Sequence, residues 1–194
     1  MGYIFLDTET GGIGNQYSLL SAYFLAANDN FNKVDELELL VKPDDGAYVV
    51  CGQAMNVNRI DLKIHDTKAI IYREAGTILY NWLKKLTDDG KIKAIIVGHS
   101  ISGDRDCICR HLLTRNSWEK FTSYRLLDTQ STTQFLKACG LFPESVSGSL
   151  ESISKYFGIK FDQNDAHSAK YDTEKTREVF LALKEMVIKL KSNE

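Results

Sequence analysis

Two acidic residues separated by one position follow an apolar segment near the N-terminus, in the stretch GYIFLDTETGGIG. Alternate residues of a β-strand point to the same face, so Asp7 and Glu9 are expected to project together. Two carboxylates about 4 Å apart repel by roughly 4 kcal/mol at an effective dielectric near 20, and they need a cation or a shared proton. The pair therefore indicates a metal site, although acids just past a strand end often simply face solvent.

The glycines that follow these acids suggest a phosphate-binding loop as a competing interpretation. A dinucleotide fingerprint needs G-x-G-x-x-G, and a P-loop needs a lysine followed by serine or threonine. Gly12 and Gly14 supply the first two glycines, but Tyr17 stands at the third position and no lysine follows. A doubly wound nucleotide-binding enzyme is thus disfavoured, and saturable binding of NAD or ATP is its test.

Another acid lies in the C-terminal segment, in phase with an apolar helical stripe. Asp172 stands three residues after Ala169 and four before Thr176, so it is expected to point inward. An unpaired inward carboxylate is costly, which leaves a metal ion, a buried salt bridge or a hydrogen bond as its partner. In the presence of the acids, His167 becomes a candidate general base. The expected core stripe consists of Ala169, Thr176, Val179, Phe180, Leu183, Val187 and Leu190.

The segment VGHSISGDRDCICRHLL places two more acids after a short apolar run. Asp104 is expected to open a helix, where a carboxylate is also a good N-cap. Helical phase favours Asp104 only mildly over Asp106, because Asp104 shares a face with Ile108 and Leu112. The residues by themselves leave the choice between the two acids open.

The pattern along the chain predicts an α/β fold. Stretches rich in β-formers at 3–7, 17–28 and 34–43 indicate an antiparallel meander, and apolar strands follow within 92–100 and at 124–129. Together they predict a mixed five-stranded sheet, antiparallel and then parallel, flanked by helices. Helices are expected at 72–86, at about 104–114, around 132–140 and 149–158, and over the C-terminal segment.

Composition limits the class of protein. A chain of 194 residues with 43% hydrophobic content is expected to form one domain over residues 1–194. The 24 basic and 26 acidic residues leave no basic excess, so contact with a polyanion must be local or mediated by metal. The four cysteines form no CxxC pair, and neither a signal-like segment nor a long apolar run is present. We therefore expect a soluble cytoplasmic protein with free thiols and no membrane association.

The order of these motifs resembles that of the DEDDh 3′-to-5′ exonucleases, which have a ribonuclease H-like fold. The matching segments are FLDTETGG, VGHSISGD and HSAKYD. AMNVNRIDLKIH and LLDTQ are similar to stretches of the ribonuclease T, oligoribonuclease and proofreading-exonuclease branches. The resemblance selects Asp104 over Asp106. It implies that Asp7, Glu9, Asp104 and Asp172 bind metal and that His167 is the general base.

Two positions depart from the family pattern in the second motif. The family often has asparagine at the position of Ser100 and a bulky aromatic residue at the position of Gly103. These departures concern the packing around Asp104 more than the chemistry of the acids.

The resemblance implies hydrolysis of phosphodiester bonds at 3′ ends of DNA or RNA, preferentially single-stranded, with release of nucleoside 5′-monophosphates. Two divalent cations can activate water and stabilise the leaving oxygen. Oxygen ligands favour Mg²⁺ or Mn²⁺ over zinc, so these ions are the expected cofactors. Substrate contacts are expected from Thr8, Thr10, Gly11, Met55 and Asn58.

A non-catalytic module that binds nucleic-acid ends on the same fold is the alternative, and turnover separates it from the enzyme. The sequence leaves open the choice of DNA or RNA, the strand preference, and any polymerase or homodimer partner.

Overall fold

A six-stranded sheet with helices on both faces forms the core of the computed structural model, which describes residues 2–192. The strands are β1 Tyr3–Thr10, β2 Leu19–Ala27, β3 Lys33–Lys42, β4 Ile70–Ile71, β5 Ala94–Gly98 and β6 Thr122–Asp128. The helices are α1 Gly52–Asn58, α2 Leu62–Lys68, α3 Tyr72–Leu86, α4 Ser102–His111, α5 Arg115–Phe121, α6 Thr129–Ala138, α7 Leu150–Tyr156 and α8 Ala169–Ser192.

The sheet has the order β4-β3-β2-β1-β5-β6, with β1 near its centre. Strands β1, β2 and β3 are antiparallel neighbours, whereas β5 runs parallel to β1 and β6 runs parallel to β5. The carboxyl ends of β1, β5 and β6 therefore meet at one edge, which is where open α/β sheets place their ligands. The predicted meander followed by parallel strands is confirmed.

Side chains of β1 alternate between two hydrophobic cores. Ile4 and Leu6 pack with buried residues of α3, α4 and α5 on one face of the sheet. Phe5 packs on the other face with Val97 and with Ala169 of α8. This alternation decides which helix each polar residue at the end of β1 will meet.

The strand count is the first difference from the sequence-based prediction. The sheet has a sixth strand, β4, whose two residues pair in parallel with the end of β3. The prediction of five strands was wrong by this one, because a two-residue strand is too short to show a periodic pattern.

The second difference lies between α4 and β6. The helix predicted at about 104–114 begins at Ser102 and ends at His111. Thr114, the predicted end, is instead the N-cap of α5, which the sequence analysis missed; its side chain accepts a hydrogen bond from the backbone N–H of Ser117. Seven residues carry too little periodicity to reveal such a helix.

The third difference concerns the far end of α8. Ala169, Thr176, Val179 and Leu183 are buried as predicted. Val187 and Leu190, at 45% and 38% exposure, are not part of the core, so the predicted stripe was too long. Helical phase remains correct there, but the helix continues past the elements against which it packs.

In the part of the chain that the structure describes, no helix combines the length and the apolar character needed to cross a bilayer. The cytoplasmic location stays a prediction.

Candidate active site

The end of β1 carries acids on one face and threonines on the other. Asp7 and Glu9 continue the face of Phe5 and meet α8, where Asp172 lies in the first turn. One carboxylate oxygen from each of Asp7, Glu9 and Asp172 falls within 4.8 Å of the others. The structure thus brings together three of the four predicted acids, from segments far apart in the chain.

Asp172 is held at one oxygen only. Its Oδ2 accepts a hydrogen bond of 3.1 Å from the backbone N–H of His167. Its Oδ1 is buried and has no hydrogen-bond partner among the described residues. The predicted inward orientation of Asp172 is confirmed. The oxygen without a partner belongs to the same carboxylate that lies close to Asp7 and Glu9.

His167 lies two residues before α8 begins, in a turn with φ 65°. This left-handed conformation is uncommon for residues other than glycine, and it lets the backbone N–H point at Asp172. The imidazole itself is exposed. The backbone of His167 therefore orients an acid, while its side chain is exposed to solvent.

Asp104 approaches from the opposite face of the sheet. It is the third residue of α4, and its Oδ1 accepts hydrogen bonds from the backbone N–H of Thr8 at 3.0 Å and from Thr8 Oγ1 at 2.6 Å. Asp104 was expected to open the helix, but it lies in the first turn, and the alternative that it is the N-cap is excluded because Ile101 occupies that position. The competing acid, Asp106, forms ion pairs with Arg105 and Arg115 instead.

The turn between β5 and α4 is fixed by a residue that the sequence analysis did not select. Asp128, at the end of β6, accepts hydrogen bonds from the backbone N–H groups of Ser100, Ile101, Gln130 and Ser131. It caps α6 and holds the turn that leads to Asp104 at the same time. Asp128 lies in the segment LLDTQ, and an Asp at a strand-to-helix junction is the sequence signal for an N-cap.

The two departures from the family pattern fit this arrangement. Ser100 adopts φ 62°, a conformation for which asparagine is more common than serine, and its hydroxyl donates to Gln130 Oε1 at 3.1 Å. Gly103 is exposed, and a Cβ built on it would have nothing within 4 Å. Asp104 is therefore positioned by Thr8 and by the Asp128 turn, without an aromatic neighbour at position 103.

Electrostatics in this pocket favour protonation unless a cation is present. Burial raises the pKa of Glu9 to about 8, and the charges of Asp172 and Asp104 add to the effect. Burial, followed by repulsion from Asp104, Glu9 and Asp172, raises the pKa of Asp7 well above its usual value. Burial also raises the pKa of Asp104 to about 6, against the hydrogen bonds from Thr8.

The pKa of Asp172 is likewise raised by burial, although the His167 ring and backbone N–H oppose that effect. Burial raises the pKa of all four carboxylates, the neighbouring acids raise the pKa of Asp7 and Glu9 further, and Oδ1 of Asp172 is buried without a hydrogen-bond partner among the described residues. Such a donor set suits a hard divalent cation. The residues present therefore fit such a metal.

The predicted substrate-contact residues surround the same strand end. Asn58, the last residue of α1, donates from Nδ2 to the carbonyl of Thr10 at 3.2 Å. Met55 lies one turn earlier on α1 and is half-buried. Thr8 is engaged by Asp104. These placements put α1 beside the loop that follows β1.

Gly11 serves the architecture of that loop. Its N–H donates to the Ser18 carbonyl, and its carbonyl accepts from the Cys51 N–H. A Cβ on Gly11 would lie 2.5 Å from the Val49 carbonyl oxygen, which is a collision. Glycine at this position is required for close approach of two backbone segments.

Two clefts open on either side of the exposed side chain of Ile13. The first, of about 300 Å³, lies between α4 and residues 11–15, which we call the glycine loop. Its lining includes Thr8, Gly103, Asp104 and Arg110. The second, of about 390 Å³, lies between the same loop and α1. Its lining residues include Glu9, Thr10, Tyr17, Gln53, Val57 and Asn58. Each cleft reaches one of the acids, so the acidic centre is accessible from both sides of the loop.

Comparison with known proteins gives a family match over almost the whole chain. The family model RNase_T, described as Exonuclease, matches residues 4–180. This range includes all four acids and His167.

Solved structures with the same fold are exonucleases of greater length. E. coli Exonuclease I in complex with a dT13 oligonucleotide matches with a TM-score of 0.76 and 17% identity over 99% of this chain and 43% of that one. The zinc-bound form of the E. coli ExoI–ssDNA complex has a TM-score of 0.72 and 18% identity, over 95% and 40% of the two chains.

A moderately thermophilic Exonuclease I from Methylocaldum szegediense has a TM-score of 0.69 and 17% identity, over 95% and 40%. The present chain thus spans about two fifths of the length of these proteins. At this level of identity the likeness establishes the fold.

Proposed function

The chain belongs to the RNase_T exonuclease family, and we propose that it is a metal-dependent 3′-to-5′ exonuclease that releases nucleoside 5′-monophosphates from single-stranded ends. The observation that carries the proposal is the convergence of Asp7, Glu9 and Asp172 at the end of β1, with Asp104 beside them. We also propose that residues 1–194 form one exonuclease domain.

Each acid has a distinct part in this proposal. Asp7 and Glu9 hold metal from the strand, where burial disfavours their charged forms in the absence of a cation. Asp172 contributes its unpartnered oxygen, and Asp104 contributes from α4 while Thr8 fixes its orientation. Two divalent cations bound by such a set supply a nucleophile at neutral pH and neutralise the phosphate.

His167 is proposed to accept a proton from the attacking water at a ring nitrogen. Its backbone N–H donates to Asp172, which keeps this residue beside the acids, and its side chain is exposed to solvent. An exposed imidazole near the metal ligands passes the proton on to solvent directly.

The clefts on either side of Ile13 are proposed to receive the end of the nucleic acid. The cleft beside α1 reaches Glu9, so the terminal nucleoside is placed there, against Thr10 and Asn58. Gly11 and Met55, which were also expected to contact substrate, are not part of the lining of this cleft. The cleft beside α4 reaches Asp104 and is available to the preceding nucleotide. A single-stranded substrate is supported by the E. coli ExoI–ssDNA complex, which shares this fold.

Mg²⁺ or Mn²⁺ is proposed as the cofactor. The four ligands offer only carboxylate oxygens, which these hard ions prefer, whereas structural zinc sites use cysteine and histidine. A zinc-bound form of E. coli ExoI is known, so zinc belongs in the test as a third ion.

The experiment follows digestion of 5′-labelled DNA and RNA, single-stranded and duplex, with Mg²⁺, Mn²⁺, Zn²⁺ or EDTA. We expect a ladder that shortens from the 3′ end, with 5′-monophosphates as products, in Mg²⁺ or Mn²⁺ only. Asp7→Asn should abolish the ladder, and the matched control Asp88→Asn, a surface acid paired with Lys91, should not. Binding of ends without any turnover supports the non-catalytic module instead.

A further inference from the structure

One face of α4 forms a wall of the cleft beside Asp104. Gly103, Asp106, Cys107 and Arg110 all line this cleft, and their spacing of three, four and seven residues places them on one side of the helix. The opposite wall is the glycine loop, which contributes Gly14 and Asn15. The cleft therefore extends along α4 and includes both Asp104 and Arg110.

Arg110 differs from its two neighbours on this surface in its partners. Arg105 and Arg115 form ion pairs with Asp106, and Arg115 pairs with Glu119 as well. Arg110 is exposed and donates from Nη2 to Oδ1 of Asn15, a neutral amide. Within residues 2–192 no carboxylate forms an ion pair with Arg110, so its charge is available to an anion.

The position of Arg110 along the helix suits a second phosphate. It follows Asp104 by six residues, which corresponds to about 9 Å along the helix axis. Both residues line the same cleft, so a phosphate held near Asp104 leaves the next part of the strand facing Arg110. The guanidinium group presents paired N–H donors that match phosphate oxygens, and Asn15 already orients it toward the loop side of the cleft.

Gly103 keeps the path between the two points clear. A Cβ at this position would meet nothing within 4 Å, so the cleft is open at the residue next to Asp104. A sugar and its phosphate can then pass over α4 between the acidic centre and Arg110.

We propose that Arg110, held by Asn15, binds the phosphate immediately on the 5′ side of the scissile phosphodiester. The inference rests on the proposed function. It adds a residue that would bind the strand upstream of the terminal nucleotide. It predicts that the charge of this one phosphate contributes to the rate.

The experiment uses initial steady-state rates of release of the first 3′ nucleotide, over a range of substrate concentrations, from three oligonucleotides of one sequence. One is unmodified, one carries a neutral methylphosphonate at the linkage 5′ to the scissile bond, and one carries it four linkages further away. For the unmodified protein, the neighbouring methylphosphonate should reduce kcat/KM on the order of tenfold, about what a charge-assisted hydrogen bond contributes. The distant one should have little effect.

Arg110→Ala should be about tenfold slower on the unmodified oligonucleotide and show no further loss with the neighbouring methylphosphonate. Arg110→Lys should retain part of the preference, because it keeps the charge without the paired donors. The slope of log KM against log salt should fall by about 0.7 in Arg110→Ala, as for one lost phosphate contact. Arg125→Ala, which removes an exposed arginine from β6, is the matched control and should resemble the unmodified protein.

The inference is overturned if Arg110→Ala still discriminates against the neighbouring methylphosphonate, or if the unmodified protein does not. Equal losses by Arg110→Ala on all three oligonucleotides also contradict it, since they indicate a role in folding or chemistry. Inactivity of the unmodified protein on every oligonucleotide overturns the proposed function itself, and this inference with it.

Discussion

The two helices that flank the end of β1 each deliver one acid, but they hold it in different ways. Asp104 on α4 receives two hydrogen bonds from Thr8, and its turn is secured by Asp128. Asp172 on α8 accepts a backbone hydrogen bond from His167, and its other oxygen is buried with no hydrogen-bond partner within residues 2–192. Both oxygen contacts of Asp104 on the α4 flank come from Thr8, whereas the α8 flank leaves one buried carboxylate oxygen without a hydrogen-bond partner among the described residues.

This difference indicates a division of labour across the strand. A carboxylate already satisfied by hydrogen bonds is held in position and loses little entropy when metal binds. A carboxylate with an unsatisfied buried oxygen gains most from the metal, because the desolvation cost has been met in advance. The α8 flank also carries the histidine, so we expect it to dominate chemistry while the α4 flank dominates positioning.

The largest effect is expected on the α8 flank. His167→Ala should reduce release of 5′-monophosphates by about 10²- to 10⁴-fold, the usual contribution of a general base, and should leave the thermal unfolding midpoint unchanged. The backbone N–H that binds Asp172 survives this substitution. Exposed His167 has a counterpart in the buried His65, whose ring contacts the Val41 carbonyl; His65→Ala should lower stability instead. Undiminished turnover by His167→Ala removes the assigned role.

The pH dependence of stability tests the acids of the strand. The pKa of Glu9 is raised from an ordinary value near 4.5 to about 8, so the folded protein binds more protons than the unfolded chain in that interval. In EDTA, the stability contributed by this proton is present below about pH 4.5 and is lost as pH rises toward 8. Saturating Mg²⁺ should restore stability at pH 8, and Glu9→Gln should flatten the dependence. A stability that rises with pH in EDTA contradicts the electrostatics described for this site.

A smaller effect is expected on the α4 flank. Thr8→Val removes the hydroxyl that binds Asp104 but keeps the shape and the backbone N–H, so activity or metal affinity should fall about 10- to 100-fold. Thr8→Ser, which restores the hydroxyl, should recover most of the loss. Metal titrations of turnover measure both. If Thr8→Val reduces turnover more than His167→Ala does, the proposed difference in role between the two flanks is wrong.

The smallest effect is expected at the far end of α8. Val187→Lys changes an exposed position and should alter the free energy of unfolding by no more than about 0.5 kcal/mol, without effect on turnover. Leu183→Ala, at a buried position of the same helix, should cost about 2–5 kcal/mol. Denaturant unfolding of the two variants compares them directly.

Local patterns in the sequence were enough for most of the fold. The segment 72–86 has apolar residues at helical spacing over four turns, and α3 occupies those residues. The two-residue strand β4 and the seven-residue helix α5 escaped prediction, since so few residues show no period. The exposure of Val187 could not be predicted either, because the helical pattern does not show where the elements packed against the helix end.

The candidate site divides in the same way. Strand alternation alone placed Asp7 and Glu9 on one face, and helical phase alone turned Asp172 inward, so these orientations follow from local geometry. Neither pattern distinguished Asp104 from Asp106 or identified Asp128. That distinction depends on Thr8, which lies 96 residues from Asp104 in the chain and reaches it only because β1 and β5 are neighbours in the sheet.

The sequence by itself therefore determined which side chains are available and which way each faces on its own strand or helix, because backbone geometry repeats over a few residues. Only the tertiary structure decided which of them meet and that, within the part of the chain that the structure describes, Asp172 Oδ1 has no hydrogen-bond partner and Arg110 lines a cleft without an ion pair. Burial and repulsion between carboxylates depend on distances across the fold, and no local pattern contains those distances.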